Sequence, residues 1–524
     1  VEVMQNKIEL DLIKNYNYIV NIKAVNKDSF MNILNILKNE MPVFNYDKSV
    51  RKYRSNIFYL DLLEKICEEN DIELYCSNRL IKLNKKFKKK FANIKKVDDT
   101  FETIHWTKDK SLKLFKYQNF AINACMRSVG IVGGLPIGDD MGLGKTMEAI
   151  AVICKMFEEG FERALIVLPS NLKHQWKKEF LKFTTLKEDD IIVVDGGDYR
   201  CKLNNEKCDL RSAKCRKCEY CDECKMYKSN PSLIRERQIS DGKIVIINYE
   251  LVRRESKILK KQDFDVWFMD EATGRSGVKN CRTESFKILK DLRYNSKYQP
   301  IAVFPMSGTF IENRLEDIYG SLYLINRNIV GEYYNFKNHY LVTDYFGNVV
   351  GYKNEKYLKK LLRKWLVRRT IDQVWKDRPE LIEIEKKCIM SDKHRDFYEK
   401  VRNSKLNELK DLELQDKMNV ASIGALLNYL LQVCDSTETI DKNLKESCKL
   451  NDMIDLVNDE ISNDKKIVIF SFFANKMIPI IVRELDKLKI GGIATITGNT
   501  KKNKIEKIKS DFNNTNKIRF LVCS

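Results

Sequence analysis

The run DDMGLGKT, Asp139 to Thr146, is the densest chemical signal in the sequence. Gly142 and Gly144 let a backbone curl so that its N–H groups face a chain of phosphates. Lys145 is placed to reach the β- and γ-phosphates of a nucleotide, and the Thr146 hydroxyl to ligate Mg²⁺. A helix beginning at Thr146 adds its positive N-terminal dipole. The pattern G-x-x-x-x-G-K-[ST] is met except at its first position, where Asp139 stands for glycine. The candidate phosphate site is therefore Asp139, Asp140, Met141, Gly142, Leu143, Gly144, Lys145 and Thr146. Its second half is VWFMDEAT, in which an apolar strand delivers Asp270 and Glu271 at its carboxyl end, where open α/β sheets place ligands. Asp270 would hold Mg²⁺, and Glu271 would orient or deprotonate an attacking water. These residues imply ATP and Mg²⁺ as cofactors.

A second constellation is Cys201, Cys208, Cys215, Cys218, Cys221 and Cys224, interspersed with Lys and Arg. C-x₂-C pairs fold two sulfurs onto one ion, which suits tetrahedral thiolate coordination of Zn²⁺. An Fe-S cluster is the alternative, because C-x₂-C-x₂-C also matches ferredoxin-like ligation. Six ligands exceed one tetrahedral zinc, so a subset would bind. The four histidines, at 105, 174, 339 and 394, form no ligand pair and read as structural.

The elements that must position these groups follow from periodicity. From about residue 111, short β-branched runs alternate with amphipathic stretches, which predicts a parallel sheet with crossover helices. The predicted strands are 164–169, 191–194, 244–247, 266–269 and 301–304, with GLPI (134–137) leading into the phosphate loop. Helices are predicted over 146–159 and 171–183, the latter with Leu172, Trp176, Phe180 and Phe183 on one face. Residues 326–445 lose the strand signal and read as helical. A second α/β pattern starts with KIVIF (466–470), IATIT (493–497) and IRFLVCS (518–524). Residues 1–100 read as a separate lysine-rich region containing a helix over 57–66 and ending in KLNKKFKKKFANIKK (82–96). That run reads either as a DNA-contacting stripe over Phe87 and Phe91 or as a solvated linker helix.

The motifs DDMGLGKT, DEAT and SGTFIENRLED together resemble the Swi/Snf family of double-stranded-DNA translocases, a branch of helicase superfamily two. The resemblance runs from about 115 to 524 and takes in LFKYQ (114–118), ALIVLPSNLKHQWKKEF, INYELV, LVRRT (366–370) and KIVIFSFF. It implies an α/β fold of tandem RecA-like lobes (P-loop NTPase), the first complete and the second partial, of bacterial or phage type. The implied divisions are 1–100 accessory, 101–325 first lobe with a Cys-rich insertion at 199–240, 326–445 helical protrusion or linker, and 446–524 partial second lobe. By the same resemblance Gln118 reads adenine, Ser170 and Lys173 lie near the DNA backbone, and Ser307, Gly308 and Thr309 couple nucleotide to DNA. Arg368 and Arg369 serve structure or coupling. The segment 41–66 resembles the HARP module found ahead of annealing-helicase motors.

Two departures stand out. Thr273 replaces the family's DEAH histidine, which affects the expected coupling of hydrolysis to DNA. Motif VI, with its arginine finger, is not found within the 524 residues, so the resemblance implies weak hydrolysis by this chain.

The bulk composition agrees with a nucleic-acid motor. The net charge is +20, and a cationic surplus suits a polyanion whose condensed counterions are released on binding. No apolar run reaches the roughly 18 residues of a membrane span, and the N-terminus carries charge throughout, so a cytoplasmic protein is expected. In such a compartment the 15 cysteines would be thiols or metal ligands. The expected activity is a DNA-stimulated ATPase translocating on double-stranded DNA, of remodelling or annealing-helicase type. The alternative is a non-hydrolysing nucleotide- and DNA-binding module, or half of a split motor. Protein partners are not indicated by any motif.

Overall fold

Residues 5–13, 16–96, 106–109, 112–194, 199–200, 207–208, 231–312, 314–376, 382–415, 420–461, 465–500 and 502–524 are described by a computed structural model. The cysteine run lies outside the described residues apart from the backbone at 207–208, and His105 lies outside them too. The chain divides into two units, Val1–Arg378 and Pro379–Ser524, a division that falls inside the segment 326–445.

In the first unit, the N-terminal residues form β1 (Lys7–Leu12), β2 (Asn17–Lys23), α1 (Lys27–Glu40), β3 (Asn45–Asp47), β4 (Lys52–Asn56), α2 (Leu60–Glu69), β5 (Glu73–Cys76) and α3 (Asn78–Asn93). The strands join in the order β3-β4-β2-β1-β5, with β1 antiparallel to β2 and parallel to β5. Alternation in β1 turns Ile8 and Leu10 inward, and α1 covers that face with Ile33, Leu34 and Leu37. The predicted helix over 57–66 is a 3₁₀ turn at Ile57–Tyr59 followed by α2, which buries Leu60, Leu63 and Ile66. The lysine-rich run forms most of α3, capped by Ser77, with Phe87 buried and Phe91 stacked on it.

The central sheet follows α4 (Lys116–Val129) and α5 (Lys145–Glu158). It contains β6 (Ala164–Leu168), followed by α6 (Lys173–Phe183) and β7 (Ile191–Val193). A short antiparallel pair, β8 (Tyr199–Arg200) and β9 (Lys207–Cys208), intervenes before β10 (Ile244–Asn248), β11 (Val266–Met269) and β12 (Ala302–Pro305). The order is β12-β11-β6-β10-β7, parallel throughout. Every residue of β6, β10, β11 and β12 is buried, as expected of a parallel sheet covered on both faces. The α/β expectation therefore holds for this sheet.

GLPI does not form a strand. Ile137 alone bridges Met306 on one side and Val367 on the other. The segment 136–140 is held by bonds from Gly138 N to the Val367 carbonyl (2.6 Å) and from Asp140 N to the Arg369 carbonyl (3.0 Å). After β12 the chain is mostly helical, but it includes a hairpin, β13 (Leu341–Thr343) and β14 (Val349–Tyr352), that the strand signal missed. These strands have three and four residues, too few to show a clear period. The N-terminal sheet is attached here: the Tyr59 hydroxyl donates to the Ile329 carbonyl, and Asn335 Nδ2 to Asn45 Oδ1 at 2.9 Å.

The second unit pairs the helices Asp392–Leu414 and Val420–Asp435, with buried His394 Nε2 at 2.7 Å from the Val433 carbonyl. It then builds a parallel sheet, β15 (Ile467–Phe470), β16 (Ile493–Ile496) and β17 (Phe520–Cys523), in the order β15-β17-β16. Among the described residues, no helix is long and apolar enough to cross a membrane.

Candidate functional site

The phosphate loop, Asp270, Ser170 and the Ser307–Thr309 segment fall at the carboxyl edge of the central sheet, because its strands run parallel. Asp270 follows β11, Ser307 follows β12, and Ser170 follows β6. The loop 139–144 leads into α5, whose first residue is Lys145. Gly142 and Gly144 have φ of +89° and +85°, a left-handed conformation that side chains seldom adopt. A Cβ on Gly142 would meet nothing within 4 Å, so the loop presents an open concave face. A Cβ on Gly144 would lie 2.7 Å from Gln118 Nε2.

Gln118 and Tyr117 brace this loop from the first turn of α4. Gln118 Nε2 and the Tyr117 hydroxyl both donate to the Leu143 carbonyl, at 3.3 and 3.0 Å. Lys145 Nζ donates to the carbonyls of Asp139 (2.7 Å) and Asp140 (3.3 Å). Met141 is exposed, and it and Lys145 border Gly308: a Cβ there would stand 3.3 Å from Met141 Cγ and 3.9 Å from Lys145 Nζ.

Asp270 is buried at the end of β11. Trp176 Nε1 donates to its Oδ2 and the Glu271 N–H to its Oδ1, each at 3.0 Å. Burial pushes its carboxyl up to about 6, against the lowering effect of the Trp176 bond. Glu271 has φ of +48°, backbone strain of the kind that clusters at functional sites. Thr273, in the place of the family's histidine, links this strand end to the next. Its hydroxyl shares a 2.5 Å hydrogen bond with Ser307 Oγ and donates to the Thr309 carbonyl at 2.6 Å.

Asp139 is fully buried, and its carboxylate is committed to Arg369. The guanidinium Nε donates to Oδ1 at 3.0 Å, Nη2 pairs with Oδ2, and Nη1 reaches the Tyr117 carbonyl. Arg369 also lies 3.1 Å from fully buried Glu148. Burial, and then the adjacent Asp139, push the Glu148 carboxyl well above the usual carboxylate range, and the Arg369 guanidinium opposes that shift. Asp140 Oδ2 accepts from Ile371 N at 3.1 Å, which fastens the same segment.

The two residues expected near DNA differ. Ser170 is exposed, whereas Lys173 is only 3% exposed and donates to the Val194 carbonyl at 2.9 Å. The ammonium of Lys173 thus braces β7 rather than meeting solvent. Sequence reading missed Trp176 as a site residue, the bond of Thr273 to Ser307, and Arg369 as the partner of Asp139. An acidic residue in a glycine position of a buried loop signals that a cation must face it, but not which one. Among the described residues, no group of three or more His, Cys, Asp or Glu is placed to hold a metal ion.

The comparisons bear on this site. The family description SNF2-related domain matches residues 117–439. An uncharacterised ATP-dependent helicase of Mycoplasma genitalium is 23% identical over 448 residues, covering 84% of this chain and 35% of the relative. A RAD54-like DNA repair and recombination protein of Gallus gallus is 24% identical over 389 residues, 66% of this chain and 49% of the relative. The chain therefore spans about a third to a half of the length of these relatives. The Sulfolobus solfataricus SWI2/SNF2 ATPase core in complex with double-stranded DNA superposes with a TM-score of 0.40 at 21% identity, covering 81% of this chain and 79% of that one.

Proposed function

The chain belongs to the SNF2-related family, and on that premise we propose that it is an ATP-driven motor acting on double-stranded DNA. The observation that carries this reading is the convergence of Lys145, Asp270 and the Ser307–Thr309 segment on one sheet edge, with Gly308 against Lys145. The open face at Gly142 and the amino end of α5 suit a triphosphate, with Lys145 neutralising charge on its β- and γ-phosphates. Thr146 Oγ1 and an Asp270 carboxylate oxygen would hold Mg²⁺, which neutralises phosphate charge. Trp176 keeps Asp270 oriented toward that position. Glu271 takes the proton of the attacking water at its carboxylate. The Thr273–Ser307 bond ties the acidic strand end to the SGT segment, so a shift at one strand end is felt at the other.

DNA as partner is supported by the +20 charge and by relatives named for DNA repair and recombination. Remodelling or annealing of the annealing-helicase type is the finer form of the reading. The cysteines at 201–224 are proposed to hold zinc, on their spacing alone. The decisive experiment measures ATP turnover of the chain with and without duplex DNA, alongside Glu271→Gln. Turnover that rises with DNA and is lost in Glu271→Gln, with ATP binding kept, supports the motor. ATP binding without any turnover, in this chain and in a longer form, would replace it with a nucleotide-dependent binding module.

A further inference from the structure

A groove of about 620 Å³ runs between α3 and the helix Glu355–Trp365, apart from the nucleotide site. Its two walls are tied together. Lys95 Nζ donates to the carbonyls of Arg363 (2.8 Å) and Leu366 (2.6 Å), and the Tyr357 hydroxyl donates to the Phe58 carbonyl (3.3 Å). The lining has an aromatic part and a cationic part. Phe58, Phe91 and Tyr357 are half-buried, and Phe91 is stacked on the buried Phe87 at 5.4 Å. Lys88, Lys360 and Arg363 are exposed along the edge. The acidic group in this wall, Asp61, is held by Lys88 at 2.5 Å.

The charge around the groove is not balanced internally. Lys360 and Arg363 on its rim are exposed, and neither has an ion-pair partner among the described residues. Cations massed on one face repel one another, and a polyanion relieves that repulsion while releasing counterions. Polyanions without bases would use the rim alone. A single strand of nucleic acid would use both parts, phosphates on the cations and bases against the aromatic rings. A duplex keeps its bases stacked inside and offers only its backbone.

We propose that this groove binds a single strand of nucleic acid. The proposal adds a strand contact to the motor reading but does not depend on ATP binding, so the two fail separately.

The test uses the whole chain without nucleotide, and fluorescence anisotropy with labelled dT20 and with a 20-base-pair duplex. The double variant Lys360→Glu, Arg363→Glu changes only exposed side chains. It is expected to weaken dT20 binding at least tenfold at low salt and to flatten the salt dependence by about two counterions. Phe91→Ala, accepted only if its thermal midpoint shows a folded chain, is expected to weaken dT20 at least fivefold and the duplex less than twofold. Unchanged dT20 affinity in the charge-reversed variant overturns the proposal. Equal losses for dT20 and duplex in Phe91→Ala overturn the single-strand assignment.

Discussion

Removing Arg369 should loosen the nucleotide loop far more than its position beyond the central sheet suggests. Asp139 has no exposed surface, and Arg369 supplies its Nε, Nη2 and backbone N–H bonds. Arg369→Ala leaves the buried Asp139 carboxylate without its guanidinium partner. Breaking a buried pair by removing one partner costs about 3–5 kcal/mol. The same change removes the guanidinium bond to the Tyr117 carbonyl, while the backbone bonds between 367–371 and 136–140 remain. A chain of two units does not unfold in one step, so a global midpoint is a poor readout. Native-state hydrogen exchange of the α5 amides reads the local cost. An opening free energy lowered by 3–5 kcal/mol speeds exchange by roughly 150-fold to a few thousand-fold. Adding Asp139→Asn removes the stranded charge, so Arg369→Ala with Asp139→Asn should exchange more slowly than Arg369→Ala alone. Exchange in Arg369→Ala within tenfold of the parent, or a double variant no slower than the single, would falsify the ion-pair argument.

Lys145→Ala is expected to lose binding of a fluorescent ATP analogue, since Lys145 acts on phosphate charge in the ground state; equal affinity in parent and variant refutes the phosphate-loop assignment. Gly144→Ala should cost at least tenfold in the same assay, because its φ of +85° strains any side chain there and the added Cβ also displaces the Gln118 amide; parental affinity would mean the loop re-forms freely. His339 is 2% exposed, and burial lowers its pKa from 6.5 to about 4. The unfolded chain therefore binds the proton first, and the stability contributed by neutral His339 is present above pH 6.5 and is lost as pH falls toward 4. The full loss is about 3 kcal/mol, and His339→Gln should show a stability difference from the parent that changes by that amount between pH 7 and 4. A difference independent of pH sinks this account. Elemental analysis of purified protein should find about one zinc per chain, or iron with a brown colour; metal-free protein with alkylatable thiols at 201–224 leaves the cysteine spacing without a ligand role.

Much of the site was legible because its chemistry is local. The loop from Asp139 to Thr146 and the pair Asp270–Glu271 each need only adjacent residues and the strand or helix that carries them. Backbone curvature, helix polarity and strand burial leave marks a few residues long. The parallel central sheet was legible for the same reason: its strands are unbroken apolar runs because both faces are covered. The N-terminal sheet was not read, although β1 and β2 alternate over six and seven residues, because strands not buried on both faces interleave polar with apolar residues and leave no continuous apolar run. What the tertiary structure alone decided is pairing across long separations. Arg369 meets Asp139 across 230 residues, Trp176 meets Asp270 across 94, and Thr273 meets Ser307 across 34. Lys173 reads as a surface cation, yet it is buried against the Val194 carbonyl. The physical reason is that burial and desolvation are set by which crossover brings which strand end alongside another. A charged side chain carries no local mark of whether its partner will be water, a phosphate or a buried carboxylate.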